Sequence, residues 1–518
     1  MTTSTSNAQA GERLRADLAA APLPPAPAVP PSVPPGAASA ASARELPRTV
    51  WSRFIILMLC LAVVTTTLAF GAVHAWALAA FQLSAALVFA LWMCDAWRTR
   101  VLRVSLNPLQ LPLAGFFAVG LVQLLPLGGG GPLSFDPAAT RGSLAQLAGL
   151  LVYFAAALAF VDSPRRLKLL ARLVVIFGFL LGVYGLMQHF INPRTIFWVR
   201  EPKQAEPFGP YVNRHHFAGY MELVLAMPLG LMFAGAVARE RMLLYAFASA
   251  MMAIALVMTN SRGGLVSMVC EVMFLAAVSS LARGRVRGGD DAPGGRGRLR
   301  AAAVRIGLGF AMVLTVFVGV LYFGGEGALS RMLGTVNSAD PTTGRAHFWG
   351  GALQIIRDHP WLGTGLGSFG SAYTRYDTGN GAYRLEQAHN DYLQIFSDAG
   401  VVGGLLGIAF VVLLFRAALR RMQSPDRFRR GVALGALAGC AGALVHSFFD
   451  FTLHTTANAL MFLLLAALAT ADGRVEAQAE GSRRRGRRRR RRSHEGSDAR
   501  DDAEGYAGAE PEKEGAAA

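Results

Sequence analysis

Apolar residues along this chain come in long blocks, separated by short polar and arginine-rich pieces. A block of about 20 mostly apolar residues is long enough to cross a bilayer as a helix. Such blocks lie near 53–73, 76–97, 109–127, 144–161, 168–190, 217–237, 242–259, 264–282, 304–323, 400–419, 431–450 and 455–471, twelve in all. Within lipid every backbone polar group must find its partner inside its own segment, so the blocks are expected as helices. Two are irregular: the third holds Pro112 and Pro126, and the eighth holds Glu271. The pattern predicts an all-α polytopic membrane protein with about twelve transmembrane helices in a domain spanning residues 51–471.

The polar pieces predict an orientation. "RTRVLR" (98–103), "DSPRRLK" (162–168), "ARER" (238–241), 283–300, 416–430 and the C-terminal tail are arginine-rich. With twelve spans all six fall on one side, which the positive-inside rule makes the cytoplasm, together with both termini. The other side, periplasmic in a bacterial inner membrane, receives 128–142, 191–216, 259–264, 324–399 and 450–454. Segment 324–399 is too long for a plain connector. It reads as a large periplasmic loop containing short helices. In "GRAHFWGGALQIIRDHP", Phe348, Ala352, Ile355 and Ile356 share one helical face, and Pro360 ends it.

Composition narrows the class. The chain is 53% hydrophobic and 16% charged, against about a quarter charged for soluble domains. The net charge of +17 comes largely from "RRRGRRRRRR" (483–492) and the arginine-rich loops. Beside a last membrane helix this reads as a topology signal that touches anionic lipid, not as a nucleic-acid surface. Residues 1–50, rich in Pro and Ala, and residues 472–518, arginine-rich then acidic, read as disordered cytoplasmic ends. Cys60, Cys94, Cys270 and Cys440 each lie in an apolar block and read as small buried hydrophobes, without disulfide or metal spacing.

Candidate chemistry gathers between the blocks on the predicted outer side. In "LEQAHNDYLQIFSDAG" His389 falls in the first turn of a helix starting near 389, where the positive end of the helix dipole favours a neutral, proton-accepting ring. Glu386 or Asp391 could orient that ring, and Asn390 adjoins it. Arg262 lies in the polar turn "TNSRGG", and Arg345 opens the amphipathic helix. Arg214 leads the run Arg214-His215-His216; adjacent helical histidines point about 100° apart and do not make a metal pair. Asp450 sits in "VHSFFDFTLHTTAN" with His446, His454 and Asn458, a possible partner for an arginine. "GTGLGSFG" contains GxGxxG, but no strand precedes it, so its glycines read as tight turns packing the loop and not as a dinucleotide site. Arginine's planar fork suits phosphate oxygens, and a neutral His can deprotonate a hydroxyl. The set suggests a lipid-linked diphosphate donor.

At these residues the chain resembles the bacterial O-antigen ligase and O-antigen polymerase superfamily, which includes protein O-oligosaccharyltransferases. The matching pieces are "PFGPYVNRHHFAGYMEL", "TNSRGG", "GRAHFW…IIRDHPWLGTGLGSF", "HNDYLQIFSDAGVVGGLLG" and "HSFFDFTLHTTANALMF", in order across roughly 128–470. The resemblance implies a twelve-helix C-type glycosyltransferase that needs neither metal nor nucleotide cofactor. Its donor would be a glycan on undecaprenyl diphosphate. By motif, Arg262 and Arg345 would bind the diphosphate, and His389 would activate the acceptor hydroxyl; Arg214 matches more loosely. A ligase would use a lipid A-core acceptor, and a polymerase another lipid-linked repeat. A transporter of lipid-linked sugars fits less well, because its polar residues should lie near the bilayer midplane.

Overall fold

The computed structural model describes residues 49–126, 131–203, 205–286, 345–378 and 385–471. Among them nine helices are long and apolar enough to cross a membrane, two more are apolar but shorter, and no strand occurs. In chain order the helices are α1 (Val50–Leu68), α2 (Ala75–Thr99), α3 (Gln110–Gln123), α4 (Pro137–Phe160), α5 (Pro164–Ile191), α6 (Arg214–Phe233), α7 (Arg239–Met258) and α8 (Arg262–Val286). Then follow α9 (Arg345–Asp358), α10 (Phe369–Tyr373), α11 (Asp391–Arg421), α12 (Arg427–His446) and α13 (Thr456–Thr470). Eleven of the twelve expected spans are helices; the remaining one, 304–323, lies outside the described residues. So do the two termini, 1–48 and 472–518.

Local chemistry marks the starts. Asp136 caps α4 and Ser163 caps α5, each followed by proline at the first helical position; Asn213, Asn390 and Asp426 cap α6, α11 and α12. Glu271, the irregularity in the eighth block, is fully buried, and a β-carbon at Gly442 of α12 would lie 3.2 Å from its carboxylate. It faces the bundle interior, as a charge in a membrane helix must. The cysteines depart from expectation: all are free, but only Cys440 is buried, while Cys94 and Cys270 lie on the surface of their helices. In an apolar surround a thiol loses nothing by facing outward.

At the centre α6 packs on α12 through small residues. A β-carbon at Gly435 would come within 2.7 Å of the Ala226 carbonyl, and one at Gly439 within 2.7 Å of the Leu223 carbonyl. Gly431, Gly435 and Gly439 thus form one stripe that lets the two backbones meet.

The two ends of the bundle differ in chemistry. At one end Arg103 pairs with Asp95 (3.0 Å) and Asp162 (3.4 Å), and Arg166 pairs with Asp162 (3.1 Å) and donates to Ser52 Oγ (2.7 Å). Arg429 donates to the Leu468 carbonyl (2.8 Å), and Lys168 lies over the Phe428 ring. The arginine-rich pieces 98–103, 162–168 and 416–430 therefore meet at one end. The opposite end gathers 131–140, 191–203, 205–216, 259–264, 345–376 and 446–456. There Thr456 Oγ1 donates to the Ala72 carbonyl (3.0 Å) and Ser371 Oγ to Asp136 (2.8 Å).

The long loop is tied into this second end through a break in α11. Gly400 leaves helical geometry (φ 63°, ψ −162°). Across the break Val401 N–H donates to the Pro360 carbonyl (2.7 Å), while Thr364 and Gly365 N–H groups reach the Ser397 and Asp398 carbonyls (2.9 and 3.0 Å). The glycine-rich loop supplies the hydrogen bonds that the interrupted helix lacks. Gln123, buried at the end of α3, locks both sides by donating to the Leu362 and Asp398 carbonyls (2.6 and 2.8 Å). Helices α9 and α10 then bury Ala352, Ile355, Phe369, Ala372 and Tyr373 in a second small core.

Candidate functional site

The site is built on the turn that follows α12. Phe449 and Asp450 N–H groups donate to the His446 carbonyl (2.7 and 3.1 Å). The Asp450 side chain is 1% exposed. Its Oδ1 lies 3.2 Å from His389 Nδ1 and also accepts the Phe451 N–H at 2.9 Å. Its Oδ2 lies 3.4 Å from Arg345 Nη2, while Arg345 Nη1 donates to the Phe449 carbonyl at 2.6 Å. Arg345, Asp450 and His389 thus form one chain of contacts, drawn from α9, the 447–455 turn and the start of α11.

The His389 ring is held but not enclosed. Phe451 meets it edge-on (4.8 Å between centroids, 74°), Phe348 lies tilted at 6.1 Å, and the side chain remains 28% exposed. With Nδ1–H directed at Asp450, Nε2 is left as the proton-accepting nitrogen. Burial alone would raise the Asp450 carboxyl. The hydrogen bond from His389 and the nearby imidazoles of His215 and His216 outweigh that and hold it well below the usual carboxylate range.

Two expectations about His389 need correction. It does not lie in the first helical turn: α11 starts at Asp391 with Asn390 as cap, and His389 precedes the cap with φ +49°. That left-handed backbone, uncommon away from glycine, swings the ring away from α11 and toward Asp450. Nor do the neighbouring acids orient it. Glu386 is exposed. Asp391 is spent elsewhere, accepting from Ser447 Oγ (2.8 Å) and lying 2.8 Å from His454 Nδ1. Asn390 accepts the Tyr392 and Leu393 N–H groups and donates to the Phe448 carbonyl (3.1 Å). Asn390 and Asp391 therefore pin the start of α11 onto the 447–454 segment and bring His389 to Asp450.

Arg262 is the first residue of α8 and is exposed. A β-carbon at the next residue, Gly263, would lie 2.9 Å from Phe449 Cβ, so the Arg262 segment abuts the turn that holds Arg345. Arg214 is the first residue of α6 and pairs with Glu206. Its neighbour His215 lies 3.0 Å (Nδ1) from Ser261 Oγ, which ties the two helix starts together. His216 points elsewhere, with Nδ1 2.9 Å from Thr455 Oγ1. No group of three metal-ligating side chains occurs among the described residues. Periodicity did not single out Ser261 or Phe449, whose roles depend on contacts between distant segments.

A family model described as O-Antigen ligase matches residues 247–408, the stretch that carries Arg262, Arg345 and His389. Arg214 and Asp450 lie outside it. No curated protein matches the chain.

Proposed function

We propose that this protein, whose residues 247–408 match a family model described as O-Antigen ligase, is a glycosyltransferase that moves a glycan from undecaprenyl diphosphate to an acceptor hydroxyl. The acceptor is the lipid A-core, at the periplasmic face of the inner membrane. The observation that carries the reading is the contact chain Arg345–Asp450–His389 at the bundle end opposite the arginine-rich loops.

His389 Nε2 takes the proton of the acceptor hydroxyl as its oxygen attacks the anomeric carbon. The bond from that carbon to the diphosphate oxygen breaks, and undecaprenyl diphosphate leaves with the electron pair. Asp450 keeps the ring in the required tautomer and stabilises the imidazolium, a positioned-base arrangement expected to contribute about 10²–10⁴-fold. Arg262 and Arg345 face the leaving diphosphate, and stabilising charge where it develops is the larger contribution. Arg262 and Arg214 also head helices, whose N-termini add partial positive charge. Arg214 joins them once it releases Glu206. No step calls on a metal or nucleotide.

The test is His389→Ala in the native host, with surface glycan resolved on a gel. Loss of glycan from the lipid A-core, with full-length polymer stranded on undecaprenyl, is the expected result. Unchanged surface glycan would sink the catalytic assignment. Single repeats still attached to the final acceptor would instead make the protein a polymerase using the same residues.

A further inference from the structure

Below the site lies a carboxylate that this mechanism does not use. Glu222 of α6 is fully buried. Both of its oxygens lie 3.1 Å from His446 Nδ1, and the His446 side chain is 1% exposed. Ionisable groups inside a membrane helix are costly, and their retention points to a role. His446 ends α12, and its carbonyl receives the N–H groups of Phe449 and Asp450. One residue thus anchors on Glu222 with its side chain and starts the Asp450 turn with its backbone. The same imidazole also meets the arginine side. A β-carbon at Gly263, next to Arg262, would lie 2.8 Å from His446 Cδ2 and 2.9 Å from Nε2.

We propose that Glu222 is a positioning residue: acting through His446, it sets the Phe449–Asp450 turn against the start of α8, and so the spacing between Arg262 and the Arg345–Asp450–His389 group. It touches no reacting group. The inference rests on the reading of His389 as the base and adds to it a buried strut beneath the turn that carries Asp450. Misplacing reacting groups by about 1 Å can cost about 100-fold in rate.

A double-mutant cycle tests this in purified full-length protein, with lipid-linked glycan and acceptor extracted from the native host. Glu222→Gln keeps an oxygen that accepts from Nδ1–H and should stay within about threefold of the parent rate. Glu222→Leu removes the anchor and should lower kcat about 10–100-fold. Placed on Asp450→Asn, the same Leu substitution should cost at most about twofold more, because coupled residues are not additive. An equal loss in both backgrounds would overturn the proposal, since Glu222 would then act independently of the turn; so would an unaffected Glu222→Leu. If the Leu variant is not monodisperse, the cycle is run with Glu222→Asp, which keeps the carboxyl group and withdraws it by one methylene. Its loss must likewise vanish on Asp450→Asn. His389→Ala separates the two readings. Full activity there defeats the base assignment, whereas an inactive His389→Ala with an additive Glu222 cycle defeats only the strut.

Discussion

At Asp450 a single buried carboxylate serves a histidine and an arginine. Its folded pKa lies below the ordinary value of 3.8, so its ionised form stabilises the fold above that value, and the contribution is lost as pH falls through the folded value. The stability gap between the parent and Asp450→Asn should persist from neutral pH down to 3.8 and should close below it. Thermal melts in detergent at a series of pH values would show this; a gap that closes near neutrality would contradict it. Asp450→Ala should cost about 3 kcal/mol, because it leaves a partly buried arginine without its carboxylate partner. Arg345→Lys should also fail, since one ammonium cannot hold the Phe449 carbonyl and Asp450 in the same forked geometry. We expect about a 10–100-fold loss in transfer rate with the protein still folded. These residue roles were only half legible. Arg262, Arg345 and His389 stood out as polar groups at the mouths of apolar blocks. The partner of His389 did not, because Asp450 is 61 residues away and the acids Glu386 and Asp391 stand much nearer in sequence. A left-handed backbone at His389, invisible to helical periodicity, decided the matter.

Elements were more legible than contacts. Blocks of apolar residues located eleven helices because lipid leaves a backbone little choice. The break in α11 was not visible as such, although the expected span began at 400, where the break lies. Nor could the sequence reveal what fills the break. The glycines of "GTGLGSFG" are turn formers, as read, but their purpose is to bring the N–H groups of Thr364 and Gly365 to the carbonyls freed at Ser397 and Asp398. Gly400 must be glycine twice over: its φ is +63°, and a β-carbon would overlap the Trp361 carbonyl. Gly400→Ala should therefore destabilise by at least about 2 kcal/mol and loosen the loop that carries α9 with Arg345. Gly407→Ala in the same helix, where an added β-carbon would meet no other part of the protein within 4 Å, should be neutral or stabilise by up to about 1 kcal/mol. Melting temperatures of the pair in one detergent decide it. Equal behaviour would mean that the break is not held by the loop.

For the whole molecule, chemistry and topology depend on each other. The arginine-rich pieces 98–103, 162–168 and 416–430 meet at one end, and Arg262, Arg345 and His389 lie at the other. Each basic residue near an anionic leaflet contributes about 1 kcal/mol to keeping its loop there, so several together should hold that end in the cytoplasm. On the proposed function the site would then face outward, where a lipid-linked glycan can meet a lipid A-core but a nucleotide sugar cannot. Orientation is thus a direct check on the donor class. In a variant freed of Cys60, Cys94, Cys270 and Cys440, Thr374→Cys and Gln423→Cys place thiols at exposed positions on the two ends. In cells with a permeabilised outer membrane, an impermeant maleimide should modify the Thr374→Cys protein at once. It should modify the Gln423→Cys protein only after the inner membrane is opened. The reverse pattern would turn the site toward the cytoplasm and remove the argument for an undecaprenyl diphosphate donor, whatever His389→Ala does to the rate. Labelling of both from outside would mean that the arginine loops do not set the orientation, and the parity of the helices would have to be recounted through residues 287–344.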